Sequence, residues 1–159
     1  MEIIVLSRLF AEEIVPDMDI RHAVISITTP ENLKPAEFKL NEYLKEVLYI
    51  KCYDIDFSDG NVTPIRAAIL EKYGHGLFTD TQAKEVTDFV IKVKDSVEVI
   101  VCHCDAGISR SAGVGAAISL ILNGSDKDIF NDKRYRPNMY MYRKILDNYY
   151  NRKETKDDE

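Results

Sequence analysis

Short apolar runs alternate with helical patterns along the chain. Four of the runs have the length of buried strands, over residues 3–6, 23–27, 47–52 and 97–102. Continuous apolar strands separated by helical segments are typical of a sheet that is buried on both faces. The pattern therefore predicts an α/β domain with a central, mostly parallel sheet flanked by helices.

Two helices are predicted between these strands. Pro35 opens the first, which runs to Leu44, because proline at the first helical position costs no hydrogen bond. Thr79 and Gln82 open the second as a capping box, and apolar residues then recur at three- and four-residue spacing. We expect both helices to lie against the sheet.

The C-terminal half carries three further helical signals. A segment rich in small residues follows the fourth strand and ends at Gly124, a residue type that commonly terminates helices. A short helix is expected over residues 126–133 and a longer one after Pro137. Residues 151–159 are expected to form a disordered tail.

Length and composition are those of one small domain. The chain has 159 residues, of which 45% are hydrophobic, and domains usually have about 100–200 residues. We expect residues 1–150 to form this domain. Residues 57–78, with three glycines, a proline and a helical turn over residues 65–73, are interpreted as an insertion.

The charge balance argues against a general polyanion binder. The chain has 21 Lys and Arg against 27 Asp and Glu, a net charge of −6, so we expect no nucleic-acid partner and only a local site for an anion. No run approaches the roughly 18 apolar residues of a membrane span. Three cysteines do not suggest a disulfide framework, and we expect a cytoplasmic protein with reduced thiols.

The segment VIVCHCDAGISRS, residues 99–111, carries the candidate chemistry. A strand ends near Cys104, a glycine turn follows, and Arg110 opens a helix. Backbone N–H groups in such a turn can point into one concavity that binds anions. The arginine fork can hold two phosphate oxygens at once. The pattern therefore predicts a phosphate site with a nucleophilic thiolate at its base.

Metal binding by the same segment is a poorer interpretation. On a strand, Cys102 and Cys104 share one face while His103 points to the other. Only His22 and His75 remain as further imidazoles. We therefore interpret Cys102 as a buried small hydrophobe and expect neither a metal nor an organic cofactor.

The sequence HCDAGISRS resembles the His-Cys-x-x-x-x-x-Arg-Ser signature of the cysteine-dependent protein tyrosine phosphatase superfamily, close to its dual-specificity branch. Arg136, Pro137 and Asn138 resemble the element that supports the phosphate loop in that branch. The resemblance covers roughly residues 47 to 149. It implies a protein tyrosine phosphatase-like fold of the dual-specificity type and a protein phosphatase activity.

The resemblance also implies roles for individual residues. Cys104 attacks phosphorus and forms a phosphocysteine, Arg110 stabilises the phosphoryl oxygens, and Ser111 eases departure of the sulfur. His103 is either a positioning residue behind the nucleophile or a histidine satisfied within the core. From its place at the end of the strand expected beside this loop, and not from the resemblance, Cys52 is a redox candidate that would trap oxidised Cys104 as a disulfide, with Cys102 as a less favoured partner. The substrate-binding loop comprises Asp105, Ala106, Gly107, Ile108, Ser109 and Arg110.

The general acid has several candidates after the third strand. A carboxylic acid on a loop protonates the leaving oxygen in this family. By resemblance Asp54 ranks first, Asp56 second and Asp59 third. The separation of 50 residues between Asp54 and Cys104 exceeds the family's, so the match requires the insertion to loop out. If the insertion does not loop out, Asp80 becomes a candidate for the general acid.

The implied substrate is a phosphoprotein or phosphopeptide, with phosphotyrosine ahead of phosphoserine and phosphothreonine. Phosphoinositide-directed relatives tend to carry lysines in this loop, whereas this chain has an acid and an aliphatic residue, Asp105 and Ile108, so inositol lipids are disfavoured. Ser109 and Ser111 stand where the RNA triphosphatase branch carries Asn and Thr. The alternatives are a phosphate-binding pseudophosphatase module and, less favoured, an RNA 5′-phosphatase, a rhodanese or an arsenate reductase.

Overall fold

A parallel sheet forms the centre of the protein. The computed structural model describes residues 1–32, 34–57, 60, 61 and 63–157, with side chains as far as residue 152. The described chain contains four strands: β1 (Glu2–Ser7), β2 (His22–Thr28), β3 (Leu44–Lys51) and β4 (Val99–Cys104). They pair in parallel in the order β1-β4-β2-β3. The predicted α/β class with a central parallel sheet is confirmed.

Helices connect and flank the strands. Those in the described residues are α1 (Arg8–Ile14), α2 (Pro64–Tyr73), α3 (Asp80–Val93), α4 (Arg110–Asn123), α5 (Lys127–Phe130) and α6 (Met139–Asp157). The predicted capping box of Thr79 and Gln82 opens α3, with both reciprocal hydrogen bonds formed. Gly124 ends α4 in a left-handed conformation with φ of 74°, as its position predicted.

Both faces of the sheet are buried at its two central strands, β2 and β4. Ile100 and Cys102 of β4 pack with residues of α3, α4 and α6 in one buried cluster. Their neighbours Val99 and Val101 belong to a second cluster on the opposite face, together with α1 and Ala36. This arrangement explains the continuous apolar run of β4, because neither side of the strand meets water.

The helix predicted from Pro35 to Leu44 is wrong. Ala36 and Phe38 are buried and Glu37 between them is exposed, which is the period of two of extended chain. Leu44 already begins β3. Packing two apolar side chains against the sheet outweighs the weak helical signal of a single proline.

Two predicted boundaries also differ. β4 continues to Cys104, two residues beyond the predicted end, because it pairs with β1 as far as Ser7. The helix α6 continues to Asp157, so residues 151–157 are helical where a disordered tail was predicted. Residues 158 and 159 lie outside the described residues.

The segment interpreted as an insertion contains α2, close to the predicted helical turn. All residues of α2 are described, and none of them is buried. After α2 the chain returns to the end of β3, where the Tyr53 N–H donates to the Gly76 carbonyl at 2.8 Å. The Tyr53 ring also contacts the rings of Tyr73 and His75. The segment therefore packs beside the residue that precedes Asp54.

Candidate active site

The candidate residues meet at the carboxyl edge of the sheet. Cys104 ends β4, while Thr29 follows β2 and Cys52 follows β3. The register places Ser7, the last residue of β1, opposite Cys104. Ligand sites of parallel sheets lie at this edge, because the loops that leave the strands converge there.

Cys104 lies at the floor of the loop formed by residues 105–109. The residue is only 2% exposed. Its Sγ lies 3.0 Å from Ser111 Oγ and accepts the Gly107 N–H at 3.3 Å. The sulfur is thus surrounded by a hydroxyl and a backbone N–H, two groups that can donate hydrogen bonds.

The loop packs tightly against the end of β1. Gly107 has φ of +72°, and a Cβ there would lie 2.4 Å from the backbone N of Ser7 and 2.5 Å from the carbonyl carbon of Leu6. The Arg8 N–H donates to the Asp105 carbonyl at 3.2 Å. Glycine is therefore required at this turn both for its conformation and for the close approach of the two chain segments.

The opposite side of the loop is held by the segment before α6. The Arg136 N–H donates to the Ile108 carbonyl and the Asn138 N–H to the Ser109 carbonyl, both at 2.9 Å. The side chains of Ala106 and Ile108 are exposed. The loop is thus fixed through its backbone while its outer surface remains accessible.

Arg110 is held by three acceptors from three chain segments. Nη1 donates to the Cys52 carbonyl at 2.7 Å and to Thr29 Oγ1 at 3.3 Å, and Nη2 donates to Asp105 Oδ2 at 3.0 Å. A guanidinium has five N–H donors, so these bonds within the described residues leave Nε–H and one Nη2–H. Those two donors form one edge of the fork, with the spacing that two phosphate oxygens match.

Asp54 lies beside the loop of residues 105–109, which we call the phosphate loop. Its Oδ1 accepts the Ser109 hydroxyl at 2.8 Å and the Asn138 Nδ2–H at 2.9 Å. Ser109 directly precedes Arg110 in the loop, so these contacts bring the first-ranked acid candidate to the motif. The 50 residues between Asp54 and Cys104 do not prevent this, because the insertion leaves the sheet edge and returns to it.

The other aspartates bind elsewhere. Asp56 caps α6, where its two carboxylate oxygens accept the N–H groups of Met139 at 2.8 Å and of the following residue at 3.1 Å. Asp80 begins α3 and pairs with Lys144 Nζ at 2.7 Å. Asp59 lies outside the described residues. Among the described candidates, these contacts favour Asp54 as the acid.

Asn138 joins the acid segment to the phosphate loop and to α6. Besides its bond to Asp54, the Asn138 side chain donates to the Ile55 carbonyl at 3.2 Å and accepts the Met141 N–H at 2.9 Å. The residue is 1% exposed. Its contacts agree with the supporting position that the sequence suggested.

His103 lies on the opposite face of β4 from the two cysteines, as strand alternation predicted. Its Nε2 is 2.6 Å from Ser26 Oγ, and Nδ1 is 3.4 Å from the Cys104 carbonyl oxygen. Burial lowers the pKa of His103 below its usual value, which favours the neutral ring. The ring thus links Ser26 of β2 to the backbone of Cys104, and its role as a positioning residue stays a prediction.

Cys52 and Cys102 are buried thiols in the same apolar cluster as Cys104. Burial raises the pKa of Cys52 to about 12 and raises that of Cys102 as well. Cys52 therefore carries little thiolate at neutral pH, and its attack on an oxidised Cys104 would be slow. Its redox role remains a prediction.

Sequence reasoning missed Thr29. Its Oγ1 donates to Asp105 Oδ2 at 2.9 Å and accepts the Arg110 Nη1–H at 3.3 Å. The available signal was its place directly after a strand, since residues at strand ends line sites in parallel sheets. The strand end indicates that Thr29 belongs to this site only once β2 is known to pair with β4.

Within the described residues, no group of three His, Cys, Asp or Glu side chains is arranged to hold a metal ion. No helix among them has the length and apolar character needed to cross a membrane.

No protein-family model matches the chain, and no curated protein matches it either. Solved structures do match. A variant of human DUSP28 has a TM-score of 0.51 at 18% identity, covering 92% of this chain and 88% of that chain. The PTP-2 phosphatase of Cydia pomonella has a TM-score of 0.50 at 15% identity, covering 92% and 84%.

A third solved structure, that of PTPMT1, has a TM-score of 0.50 at 14% identity and covers 99% of this chain and 96% of that chain. Each match covers more than nine tenths of this chain. At such low identities the likeness concerns the fold. The chain therefore has the fold of the tyrosine and dual-specificity phosphatases.

Proposed function

We propose that this protein hydrolyses phosphate monoesters on proteins, phosphotyrosine foremost, through a phosphocysteine intermediate. The observation that carries the proposal is the convergence of three groups on one loop. Cys104 lies at its floor, the fork of Arg110 keeps one edge open within the described residues, and Asp54 is bound to the loop through Ser109.

In the first step the Cys104 thiolate attacks phosphorus and the bond to the leaving oxygen breaks. The open edge of Arg110 and the loop N–H groups bind the equatorial oxygens as charge develops on them. Asp54 gives its proton to the leaving oxygen. Because Oδ1 is held by Ser109 and Asn138, Oδ2 is the oxygen that we assign to the proton transfer.

In the second step water attacks the phosphocysteine. Asp54, now a carboxylate, accepts a proton from the water, and the sulfur–phosphorus bond breaks. The Ser111 hydroxyl, 3.0 Å from Sγ, donates a hydrogen bond to the departing thiolate of Cys104. This stabilises the leaving group and returns the enzyme to its starting state.

The depth of the nucleophile supports phosphotyrosine as the preferred substrate. Cys104 is 2% exposed, so a long flat side chain reaches it more easily than a short one. One structure of PTPMT1 was determined in complex with PI(5)P. In this chain Asp105 and Ile108 place an acid and an aliphatic residue in the loop, which disfavours an inositol phosphate with several negative groups.

The proposal is tested with the wild type and Cys104→Ser on four substrates: an aryl phosphate, a phosphotyrosine peptide, the same peptide with phosphoserine, and PI(5)P vesicles. We expect turnover of the aryl phosphate and the phosphotyrosine peptide by the wild type, and background rates for Cys104→Ser. Acid quenching during turnover should trap phosphate on Cys104. Faster release of phosphate from PI(5)P than from either peptide would contradict the proposed substrate class.

A phosphate-binding module without turnover is the second candidate. It is favoured by one observation: Oδ1 of the candidate acid Asp54 is already engaged by the Ser109 hydroxyl at 2.8 Å and by Asn138 Nδ2 at 2.9 Å. Wild type that binds the phosphotyrosine peptide but hydrolyses it no faster than Cys104→Ser would support this function over catalysis.

A further inference from the structure

We propose that Thr29 is a positioning residue for the phosphate-binding arginine. Together with Asp105 it clamps the guanidinium of Arg110 so that one edge of the fork faces the anion. Thr29 stands 81 residues before Arg110 and lies outside the signature motif. The proposal rests on the proposed function only in requiring that the loop bind a phosphoryl group.

Thr29, Asp105 and Arg110 form a closed triangle of hydrogen bonds. Thr29 Oγ1 donates to Asp105 Oδ2 at 2.9 Å, Arg110 Nη1 donates to Thr29 Oγ1 at 3.3 Å, and Nη2 donates to Asp105 Oδ2 at 3.0 Å. The hydroxyl thus uses its proton and a lone pair at once. The two terminal nitrogens of the fork face two neighbouring oxygens.

A third acceptor completes the clamp. The Cys52 carbonyl accepts from Nη1 at 2.7 Å, so both hydrogens of Nη1 and one of Nη2 are engaged. The plane of the guanidinium of Arg110 is then determined before any ligand binds. An arginine oriented in advance loses less side-chain entropy when it binds an anion.

The exposures of the two charged partners explain why a hydroxyl is needed. The side chain of Arg110 is 8% exposed, whereas that of Asp105 is 42% exposed. A half-exposed carboxylate rotates and exchanges its partners with water. Thr29, at the end of the rigid strand β2, gives the carboxylate a second contact and so restricts its rotation.

The clamp also explains why the loop proposed to bind anions contains an acidic residue, Asp105. The carboxylate of Asp105 lowers the positive potential that attracts phosphate. Its orientation of Arg110 offsets this loss, because bidentate binding depends on the angle of the fork as well as on its charge. Thr29 is therefore a residue that acts on the anion through Arg110 without touching it.

The proposal is tested by tungstate binding, measured by calorimetry, and by kcat and KM for an aryl phosphate. We expect Thr29→Val to raise the tungstate Kd about tenfold, the effect of one hydrogen bond to charged groups, and to lower kcat/KM similarly. Thr29→Ser should remain within about twofold of the wild type, because it keeps the hydroxyl. Thr29→Ala serves the same test if thermal unfolding shows that valine disturbs the fold.

Thr87→Val is the matched control for a lost threonine hydroxyl. Thr87 is 1% exposed and its hydroxyl donates to Asn148 Oδ1 at 2.7 Å, on helices α3 and α6. We expect this variant to lower the unfolding temperature and leave the tungstate Kd unchanged. An equal change of Kd in both valine variants would overturn the proposal in favour of general destabilisation.

The dependence on Arg110 is tested by repeating Thr29→Val in an Arg110→Lys background. Lysine has no fork to orient, so the tenfold effect should shrink below twofold. Wild-type affinity in Thr29→Val, or a full effect in the lysine background, overturns the clamp. Loss of tungstate affinity in Thr29→Val without turnover by the wild type would overturn only the proposed function. Absence of tungstate binding by the wild type would overturn both.

Discussion

Asp54 and Asp56 are two residues apart in sequence, yet they bind different parts of the molecule. Asp54 contacts the phosphate loop through Ser109, whereas Asp56 accepts two backbone N–H groups at the start of α6. At the level of single residues, the structure therefore separates the aspartate that contacts the loop, which we propose as the acid, from the aspartate that caps a helix. The spacing of the two aspartates along the chain does not show which of them contacts the loop and which caps the helix.

Substituting each aspartate tests this division. We expect Asp54→Asn to lower kcat about 100-fold on a phosphotyrosine peptide, because general acid catalysis typically contributes at least that factor. The loss should be smaller on an aryl phosphate whose leaving group needs no proton. Steady-state kinetics on the two substrates measures the difference.

Asp56→Asn is the matched control. It removes a negative charge from the N-terminus of α6, which typically stabilises a helix by about 0.3–1 kcal/mol. We expect a lower unfolding temperature and a kcat within about twofold of the wild type. A larger loss of kcat in Asp56→Asn than in Asp54→Asn would contradict this assignment and indicate Asp56 as the general acid.

At the scale of elements, the turn between β4 and α4 depends on one glycine. Gly107 and Gly124 share nearly the same positive φ, 72° and 74°. A Cβ on Gly107 would meet backbone atoms of β1 at 2.4 Å, whereas a Cβ on Gly124 would meet nothing within 4 Å. Alanine at position 124 would therefore introduce conformational strain alone. Alanine at position 107 would introduce the same strain together with a steric collision with β1.

Alanine at each position gives the corresponding prediction. Gly124→Ala should destabilise the protein by about 1–2 kcal/mol, the cost of a left-handed conformation, and leave tungstate binding intact. Gly107→Ala should destabilise it further and abolish tungstate binding, because the loop must move away from β1. Equal unfolding temperatures and equal tungstate affinities in the two variants would show that the close approach is unimportant.

The elements also show where sequence patterns are ambiguous. The capping box of α3 was predictable because its two partners are three residues apart. The segment after Pro35 was not, because Ala36 and Phe38 obtain their burial from strands distant in sequence. Local spacing identifies an element reliably only when its stabilising contacts are themselves local.

At the scale of the whole molecule, stability should depend on pH through His103. This residue is fully buried, and burial lowers its folded-state pKa below the usual 6.5. The unfolded chain then binds a proton on His103 that the folded protein does not bind. The contribution of the neutral ring to stability is complete above pH 6.5 and is lost as the pH falls below that value.

Urea unfolding between pH 5 and pH 8 measures this contribution. We expect the free energy of unfolding to fall on the acidic side by up to about 1.4 kcal/mol per pH unit for one proton. His103→Asn, which does not titrate, should show a shallower dependence over the same interval. Identical slopes for the wild type and His103→Asn would exclude His103 as the source.

The sequence alone predicts the proposed nucleophile Cys104, together with Arg110 and Ser111. These residues lie within eight consecutive positions, 104–111, where a strand, a glycine turn and a helix start hold them together through local geometry. It also determined the class of the fold, since buried parallel strands have a distinct apolar pattern. Asp54 could be ranked by resemblance, but its separation of 50 residues from Cys104 left its position open.

The folded chain shows how segments distant in sequence complete the site. Thr29 and the Cys52 carbonyl reach Arg110 because β2 pairs with β4 and β3 pairs with β2. Asp54 reaches Ser109 because it follows β3, which lies in the same parallel sheet as β4. Strand order depends on contacts between residues far apart in sequence, and the pattern of any one segment does not contain them.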